Sequence, residues 1–597
     1  TAKHIHYTFA NLVADSTTLF RLDTTLTSFQ NYSPIRQPNR PTIGLGGLGL
    51  SSRDLLFNPS KEIGFQVGFH SLDAYWLNAD SIRYYRAKSP YTELYYVDGG
   101  NIEQVFRVIH AQNITPRWNL GLNYNAMAGD GLYTNQAVTH SNAAFFTWFE
   151  SKNKRYKLVS SAIFNSLRSG ENGATIEDPS TSPGSTLSGA QTLVRLVGSD
   201  DNAPFQKWKG QNFFVKQLYF FGVPRQSISL LTNYTERDYL FFRNEEDLNG
   251  AFPAVPAALG TVNTNDLTQF SDLKNELNYS FYLPGGSVAS LKDGLNINIG
   301  AQYNLGSYKQ MGYNFDFYNM MLKAGVGYQL NDRMELDVDM QHIIAGRNSG
   351  DLLYDAKLRF LLDKQAGEIT LGTYWQNKSP EQLFNRINYQ FHQWDFDFAK
   401  TQINNYSLGY NNPKLKLKAK VEYLLIANHL YYEETALAKQ ITPVQFGEKI
   451  NMLKVTLSQD IRVGRFHLDN YVVYQPSNQQ AILTTPDLYT CNSLYYRQPF
   501  FKLLYTDIGF DLRFNTFYQA PEYAVNASQF YNSTRPKEYD TYPILDFWIR
   551  ANLKRANLFL KYEFVNQGMF HDYYYTVNPY PMQDGEIRFG LSWKFYN

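Results

Sequence analysis

The stretch Lys414–Leu425, KLKLKAKVEYLL, decides the fold. Leu415, Leu417, Ala419, Val421, Tyr423 and Leu425 occupy every second position, and Lys414, Lys416, Lys418, Lys420 and Glu422 fill the places between. Side chains of a strand point alternately to its two faces, so this period yields one apolar and one charged face. The same grammar recurs in RMELDVDM (333–340), where Met334, Leu336, Val338 and Met340 alternate with Arg333, Glu335, Asp337 and Asp339. It recurs again in YDAKLRFLL, LYTDIGFDLRF and ILDFWIRANL, while helical periodicity is almost absent from residue 91 onward.

The connections between these segments also alternate. Tight turns (LNDRM, LDKQAGE, NNPK, VGRF, LKRAN) are separated by long polar stretches at 167–210, 242–269, 427–447 and 517–540. Short turns at one end and long loops at the other are the pattern of a membrane-spanning up-and-down antiparallel β-barrel, with periplasmic turns and extracellular loops. The alternating segments number roughly twenty-two, within a range of about 16 to 24. With the C-terminus in the periplasm, the short turns fall on the periplasmic side. The first hairpin, YYVDGGNIEQ, is the exception, with a tip both external and short.

Energetics assign the faces. A lysine on the lipid face near the midplane costs about 2 to 4 kcal/mol, so the row Lys414, Lys416, Lys418, Lys420 is expected to line the lumen. Glu335, Asp337 and Asp339 are expected to line it from another strand. A water-soluble sheet of this length would need a second apolar layer to cover it, and no segment supplies one.

Composition agrees. Of 597 residues, 46 are tyrosine and 42 phenylalanine, aromatics reach 16%, and the mean hydropathy is −0.41. No apolar run reaches the roughly eighteen residues of a membrane helix. Lysine and arginine (55) balance aspartate and glutamate (54), which removes the electrostatic case for nucleic acid. The single cysteine, Cys491, cannot form an internal disulfide. A chain opening at Thr1 without a leader fits a mature envelope protein whose signal peptide has been removed.

Residues 1–90 differ, with Pro34, Pro38, Pro41, Pro59 and the glycine-rich PTIGLGGLGLSSRDLLF. Gly44, Gly46 and Gly49 match G-x-G-x-x-G, the spacing that cradles a dinucleotide pyrophosphate, with Asp73 in the place of its distant acid. That site needs a strand before and a helix after; Pro41 interrupts the first and aromatic alternation replaces the second. The glycines are expected instead to let the segment fold back into the lumen. The segment reads as a lumenal plug or a periplasmic extension, with the barrel running from 91 to 597.

Other constellations are weak. His4 and His6 share a face, and the Glu335–Asp339 row could hold a cation, but neither has a completing ligand at metal-site spacing. His110, His342, His392 and His467 fall in expected strands without a G-x-S-x-G partner, so no catalytic residue, cofactor or metal is assigned and no enzyme is expected. In GEIRFGLSWKFYN (585–597), Phe589, Leu591, Trp593 and Phe595 alternate with polar residues. This resembles the C-terminal signal read by the barrel assembly machinery of Gram-negative outer membranes, although Asn597 replaces the usual terminal aromatic.

The block SPYTELYYVDGGNIEQVFRVIHAQNITPRWNLGLNYNAMAGDGLYTNQ, with FQNYSP before it, ENGATIED after it and the C-terminal strand, resembles the "putative porin" family of Bacteroidota. That resemblance implies an outer-membrane barrel surrounded by lipid, including lipopolysaccharide, that passes small hydrophilic solutes passively. Two alternatives stay open. One is a closed barrel serving as a scaffold for partner outer-membrane proteins or lipoproteins. The other is a TonB-dependent-type transporter, although such receptors carry a longer plug than 90 residues.

Overall fold

The computed structural model describes residues 4–596, apart from 14–16, 101–102, 177–192, 197–202, 222–225, 248, 256–262, 284–293, 364, 501–503 and 571–572. Its dominant element is a closed antiparallel barrel of 22 strands. In chain order these are β1 Tyr91–Gly99, β2 Gln104–Thr115, β3 Trp118–Gly129, β4 Val138–Glu150, β5 Tyr156–Gly170, β6 Phe205–Phe220, β7 Ser227–Asn244 and β8 Asn263–Leu283. There follow β9 Leu295–Gln310, β10 Tyr313–Asn331, β11 Met334–Gly346, β12 Leu352–Asp363, β13 Gly367–Lys378, β14 Thr401–Asn412 and β15 Leu417–Ala427. The circuit ends with β16 Ile450–Val463, β17 Phe466–Tyr474, β18 Leu488–Phe500, β19 Leu504–Asn515, β20 Ile544–Leu553, β21 Ala556–Glu563 and β22 Glu586–Tyr596. Each strand pairs with its neighbour in sequence, and β22 closes on β1 from Tyr596↔Tyr91 to Arg588↔Gly99.

Alternation places the side chains as expected. Along β4, His140, Asn142, Ala144, Phe146 and Trp148 are buried inward, while Phe145 is exposed outward. Leu277, Ile299, Tyr406, Leu494 and Leu560 are likewise exposed on the outer surface, the lipid-facing band of such a barrel. The connections after even-numbered strands, such as 116–117, 332–333, 413–416, 464–465 and 554–555, are short and share the periplasmic end with the C-terminus. The opposite end carries 171–204, 245–262, 379–400, 428–449, 516–543 and 564–585. Two further connections at that external end, 311–312 and 347–351, are short, so the first hairpin is not the lone exception.

One part of the deciding stretch needs correcting. Lys414 and Lys416 lie in the turn 413–416, not in a strand, and β15 begins only at Leu417. Pro413 lacks a ladder N–H, the Asn412 side-chain oxygen accepts the backbone N–H groups of Lys414 and Leu415 at 3.1 Å each, and Lys416 takes φ +48°. The period-two pattern runs through the reversal by coincidence of composition.

Residues 4–90 pass through the barrel. Near the periplasmic end, Ile5–Thr8 pairs on one side with Phe20–Arg21 and on the other with Tyr84–Ala87. Tyr84, Tyr85 and Ala87 pack with inward Phe146, Trp148, Val159, Ile163 and Phe214. Deeper in, Arg40–Gly44 pairs with Ser52–Asp54 around the glycine-rich turn. Gly46 has φ +107° and Gly49 φ +88°. A Cβ on Gly46 would sit 2.5 Å from the Pro581 carbonyl oxygen, and one on Gly49 would sit 2.8 Å from the Val138 side chain.

Gly46→Ala therefore combines left-handed backbone strain, about 1–3 kcal/mol, with a clash against backbone that has little room to move. The expected result is a folded barrel whose first ninety residues become more sensitive to protease than in the wild type. An unchanged digestion pattern would refute this.

Candidate functional site in the barrel lumen

The lumen has two unlike walls. Along β19–β22 the inward positions carry ions: Asp507 and Arg513 on β19, Asp546 and Arg550 on β20, Lys561 and Glu563 on β21, and Arg588 on β22. They pair across the strands, with Arg550 to Asp507 at 3.0 Å, Arg513 to Asp546 at 3.1 Å, Lys561 to Asp546 at 3.0 Å and Arg588 to Glu103 at 2.7 Å. The N-terminal segment plugs into this lattice. Arg36 reaches Glu563 at 2.6 Å and donates to Gln583 at 2.9 Å, Tyr32 donates to Glu563 at 3.2 Å, and Arg550 donates to Gln30 at 2.6 Å. Each carboxylate meets several donors, the condition under which buried charge is tolerated. Burial opposes the charge of Arg36, but Glu563 more than compensates and holds its guanidinium well above the usual value.

External loops fasten the top of the segment. Gly44 donates to the Thr576 hydroxyl, which donates back to its carbonyl. Ser51, Gln206 and Tyr523 form a buried cluster around Glu171, whose carboxyl burial pushes up to about 8. In the loop 379–400, the backbone N–H groups of Gln382 and Leu383 donate to the carbonyls of Gln66 and Val67 at 2.9 and 3.0 Å. Beside them His70 pairs with Asp73 at 2.7 Å and with Glu381 at 3.1 Å, and Glu381 also meets Lys378 at 3.1 Å. Crowding by surrounding protein works against the charged imidazole, although the side chain is half exposed to the lumen, yet Glu381 and Asp73 outweigh it and hold His70 well above 6.5. Burial likewise opposes the charge of Glu381, and Lys378 and His70 hold its carboxyl well below the ordinary range.

The other wall, β6–β12, meets the segment at separate points: Phe69 lies on Tyr239 at 4.3 Å, Lys61 pairs with Asp355 at 2.7 Å and Lys216 donates to the Ala10 carbonyl at 2.9 Å. Between these contacts lies a cavity of about 900 Å³ bordered by residues 61–81 and by inward side chains including Asn212, Asn233, Lys274, Asn304 and Lys323. A second cavity, of about 700 Å³, lies toward the periplasmic ends of the same strands, with Ser227, Ser280 and Asn296 in its lining. Lys323 and Gln341 border both, so the two spaces adjoin. On the external side Phe65 packs against Phe270 and Phe317 at 5.4 and 4.3 Å.

The residues singled out from sequence fall as follows. Lys418 and Lys420 share the β15 face of Leu424 and Ile426, which are buried against Phe57 and Ile63 of the segment; that face is lumenal. Lys414 and Lys416 sit in the periplasmic turn. Glu335, Asp337 and Asp339 share the face of buried Ile343. Arg359 neutralises the first two, at 2.8 and 4.0 Å, and Asp339 borders the smaller cavity. Phe589, Leu591, Trp593 and Phe595 lie on the outer face of β22, opposite buried Arg588 and Ser592. Gly44, Gly46 and Gly49 form the lumenal turn, and His140 bonds the Gly49 carbonyl at 2.7 Å. His6 stands between Arg21 and Arg86 in its sheet, a cationic setting for any metal ion. His392 lies in the loop 379–400, not in a strand. The ionic wall of β19–β22 was not singled out from sequence; its signal is the Asp and Arg at alternate positions of DIGFDLRF and LDFWIRANL, opposite an otherwise unexplained Arg36.

A family model described as "Putative porin" matches residues 4–597. No curated protein sequence matches the chain. Among solved structures, the fold is similar to the siderophore receptor PirA from Acinetobacter baumannii, with TM-score 0.66 and 9% identity over 100% of this chain and 98% of that one. It is similar also to the ferric-catecholate import receptor Fiu from E. coli K12 (TM-score 0.61, 11% identity, covering 85% and 83% of the two chains). A third is the FrpB iron transporter from Neisseria meningitidis (TM-score 0.59, 12% identity, 85% and 82%). At these identities the likeness is one of fold.

Two outcomes test the lumen. A histidine held above its ordinary value contributes stability that is complete below about pH 6.5 and is lost as pH rises through the raised value. Hydrogen exchange in loop 379–400 should therefore quicken on raising pH beyond its intrinsic dependence, and His70→Gln should abolish that excess; identical profiles refute it. Separately, Lys418→Glu with Lys420→Glu should move the reversal potential of planar-bilayer currents toward cation preference, whereas Lys414→Glu with Lys416→Glu should move it less.

Proposed function

The chain belongs to the putative porin family and is an outer-membrane β-barrel, and from that premise we propose that it passes small hydrophilic solutes passively along one side of its lumen. The observation that carries this reading is the pair of adjoining polar cavities between the N-terminal segment and the β6–β12 wall. The segment is bound by ions to the opposite wall, so a path beside it requires no displacement of buried charge there. Loops 379–400, 516–543 and 564–585, hydrogen-bonded to the segment, form the external gate. Selectivity arises from bore and from the paired charges of the lining.

A second reading is a TonB-dependent-type transporter, in which a partner supplies energy to move the segment. It is favoured by a lumen occupied by the chain's own N-terminal residues and by the fold likeness to siderophore receptors.

Swelling of liposomes containing the purified protein separates the two, since only the passive path operates without a partner. The expected result is solute entry that Asn304→Trp slows several-fold, because Asn304 borders the larger cavity, while Tyr303→Trp on the lipid face leaves it unchanged. No swelling with any small solute would overturn the passive reading.

A further inference from the structure

On the anchored side of the lumen, the segment and the external loops enclose a smaller cavity of about 110 Å³. Parts of 35–47 and Leu55 of the segment border it, together with Tyr489 of β18, Arg513 of β19 and stretches of loops 516–543 and 564–585. Asp540 and Thr541 border it as well and are exposed, so it opens on the external side. Its walls are mainly apolar, with Ile43, Leu55 and Met582 beside the tyrosine rings. The Tyr518 hydroxyl donates to the Thr576 carbonyl at 2.9 Å, which leaves its ring as what it offers the cavity. An apolar recess with few polar groups is the usual build of a small-molecule site.

One cation of this lining is not fully spent. Arg513 donates through Nη2 to both oxygens of Asp546 at 3.1 Å, and its Nε is buried without a partner. Asp546 has little more to give, since it also meets Lys561 at 3.0 Å and accepts the backbone N–H of Phe564 at 2.9 Å. Arg36, the other arginine of the lining, is by contrast committed to Glu563 and Gln583. Of the described residues that border the cavity, Asp540 alone is acidic, and it stands exposed at the mouth. A buried donor without an acceptor is unfavourable, and a charged donor gains most from an ionised acceptor. Size limits what can bring that acceptor in: a cavity of about 150 Å³ holds a benzene ring, so this one takes a somewhat smaller body. We propose that the cavity binds a small monocarboxylate, its carboxylate accepting from Arg513 and its short apolar body lying against Ile43, Leu55 and Tyr518.

The site shares no bordering residue with the two larger cavities, so it stands or falls apart from the passive path. Calorimetry of the full-length protein in detergent, with butyrate, its neutral amide butyramide and inorganic phosphate as probes, tests it. The expected result is saturable butyrate binding, about tenfold tighter than that of butyramide and not displaced by phosphate. Arg513→Gln should abolish it. Ala520→Leu, which adds bulk to the cavity from loop 516–543 without touching the ions, should weaken it about tenfold, while Asn304→Trp in the larger cavity should leave it unchanged. Placing the two variants on a strand and on a loop guards against a local folding defect in either one. The proposal is overturned if butyrate gives no binding, if butyramide or phosphate binds as tightly, if Arg513→Gln and Ala520→Leu both bind butyrate as the wild type does, or if Asn304→Trp weakens it as much as they do.

Discussion

In the hydrocarbon of a bilayer, a backbone N–H or C=O without a partner costs several kcal/mol, so a sheet persists there only when its two edges meet. The ladder between Tyr91–Gly99 and Arg588–Tyr596 is that meeting, and the circumference it closes determines everything inside. Twenty-two strands enclose a space that inward side chains alone do not fill. Residues 4–90 and the long external loops enter it. The glycine turn, the aromatic packing of Phe65 and the ionic docking of Arg36 are all ways of filling a lumen whose width follows from closure.

Filling is uneven. Toward β19–β22 the contacts are charged, short and shared among several partners. Toward β6–β12 they are largely aromatic and leave open polar space between them. The strands on that side are also the longest, reaching 21 residues in β8 and 19 in β10, against 8 in β21. One wall thus serves as an anchor, and the other, taller wall bounds the cavities. A molecule built in this way can keep its segment fixed while leaving a route beside it.

Fold class and strand number were legible because alternation is a local signal: each strand states its two faces within a few residues. Lys418, Lys420, Glu335, Asp337 and Asp339 could be assigned to the lumen on that ground alone. Lys414 and Lys416 could not, since the turn made by Asn412 and Pro413 continues the lysine period without continuing the strand. His392 was misplaced for a related reason, standing beside the two-stranded ribbon 386–388/393–395 of a loop that mimics barrel grammar. The cavities, the His70 pairings and the docking of loops on the segment were not legible, because they join residues hundreds of positions apart. The glycine spacing pointed to a phosphate cradle, and Pro41 before it and the missing helix after it argued otherwise.

The anchor of the segment has a temporal side. Arg36 bonds a residue 527 positions downstream, and Gln30 one 520 positions downstream. Such contacts close very long loops, the kind of pairing that slows folding. Glu563 and Gln583 border the final strand, so the docking surface is complete only once β22 has joined β1. Phe29 packs on Tyr95 of β1 and on Phe559 of β21, so the seat of the segment spans the seam and is whole only in a closed barrel. The segment thereby ties together the two ends of the chain that closure brings side by side.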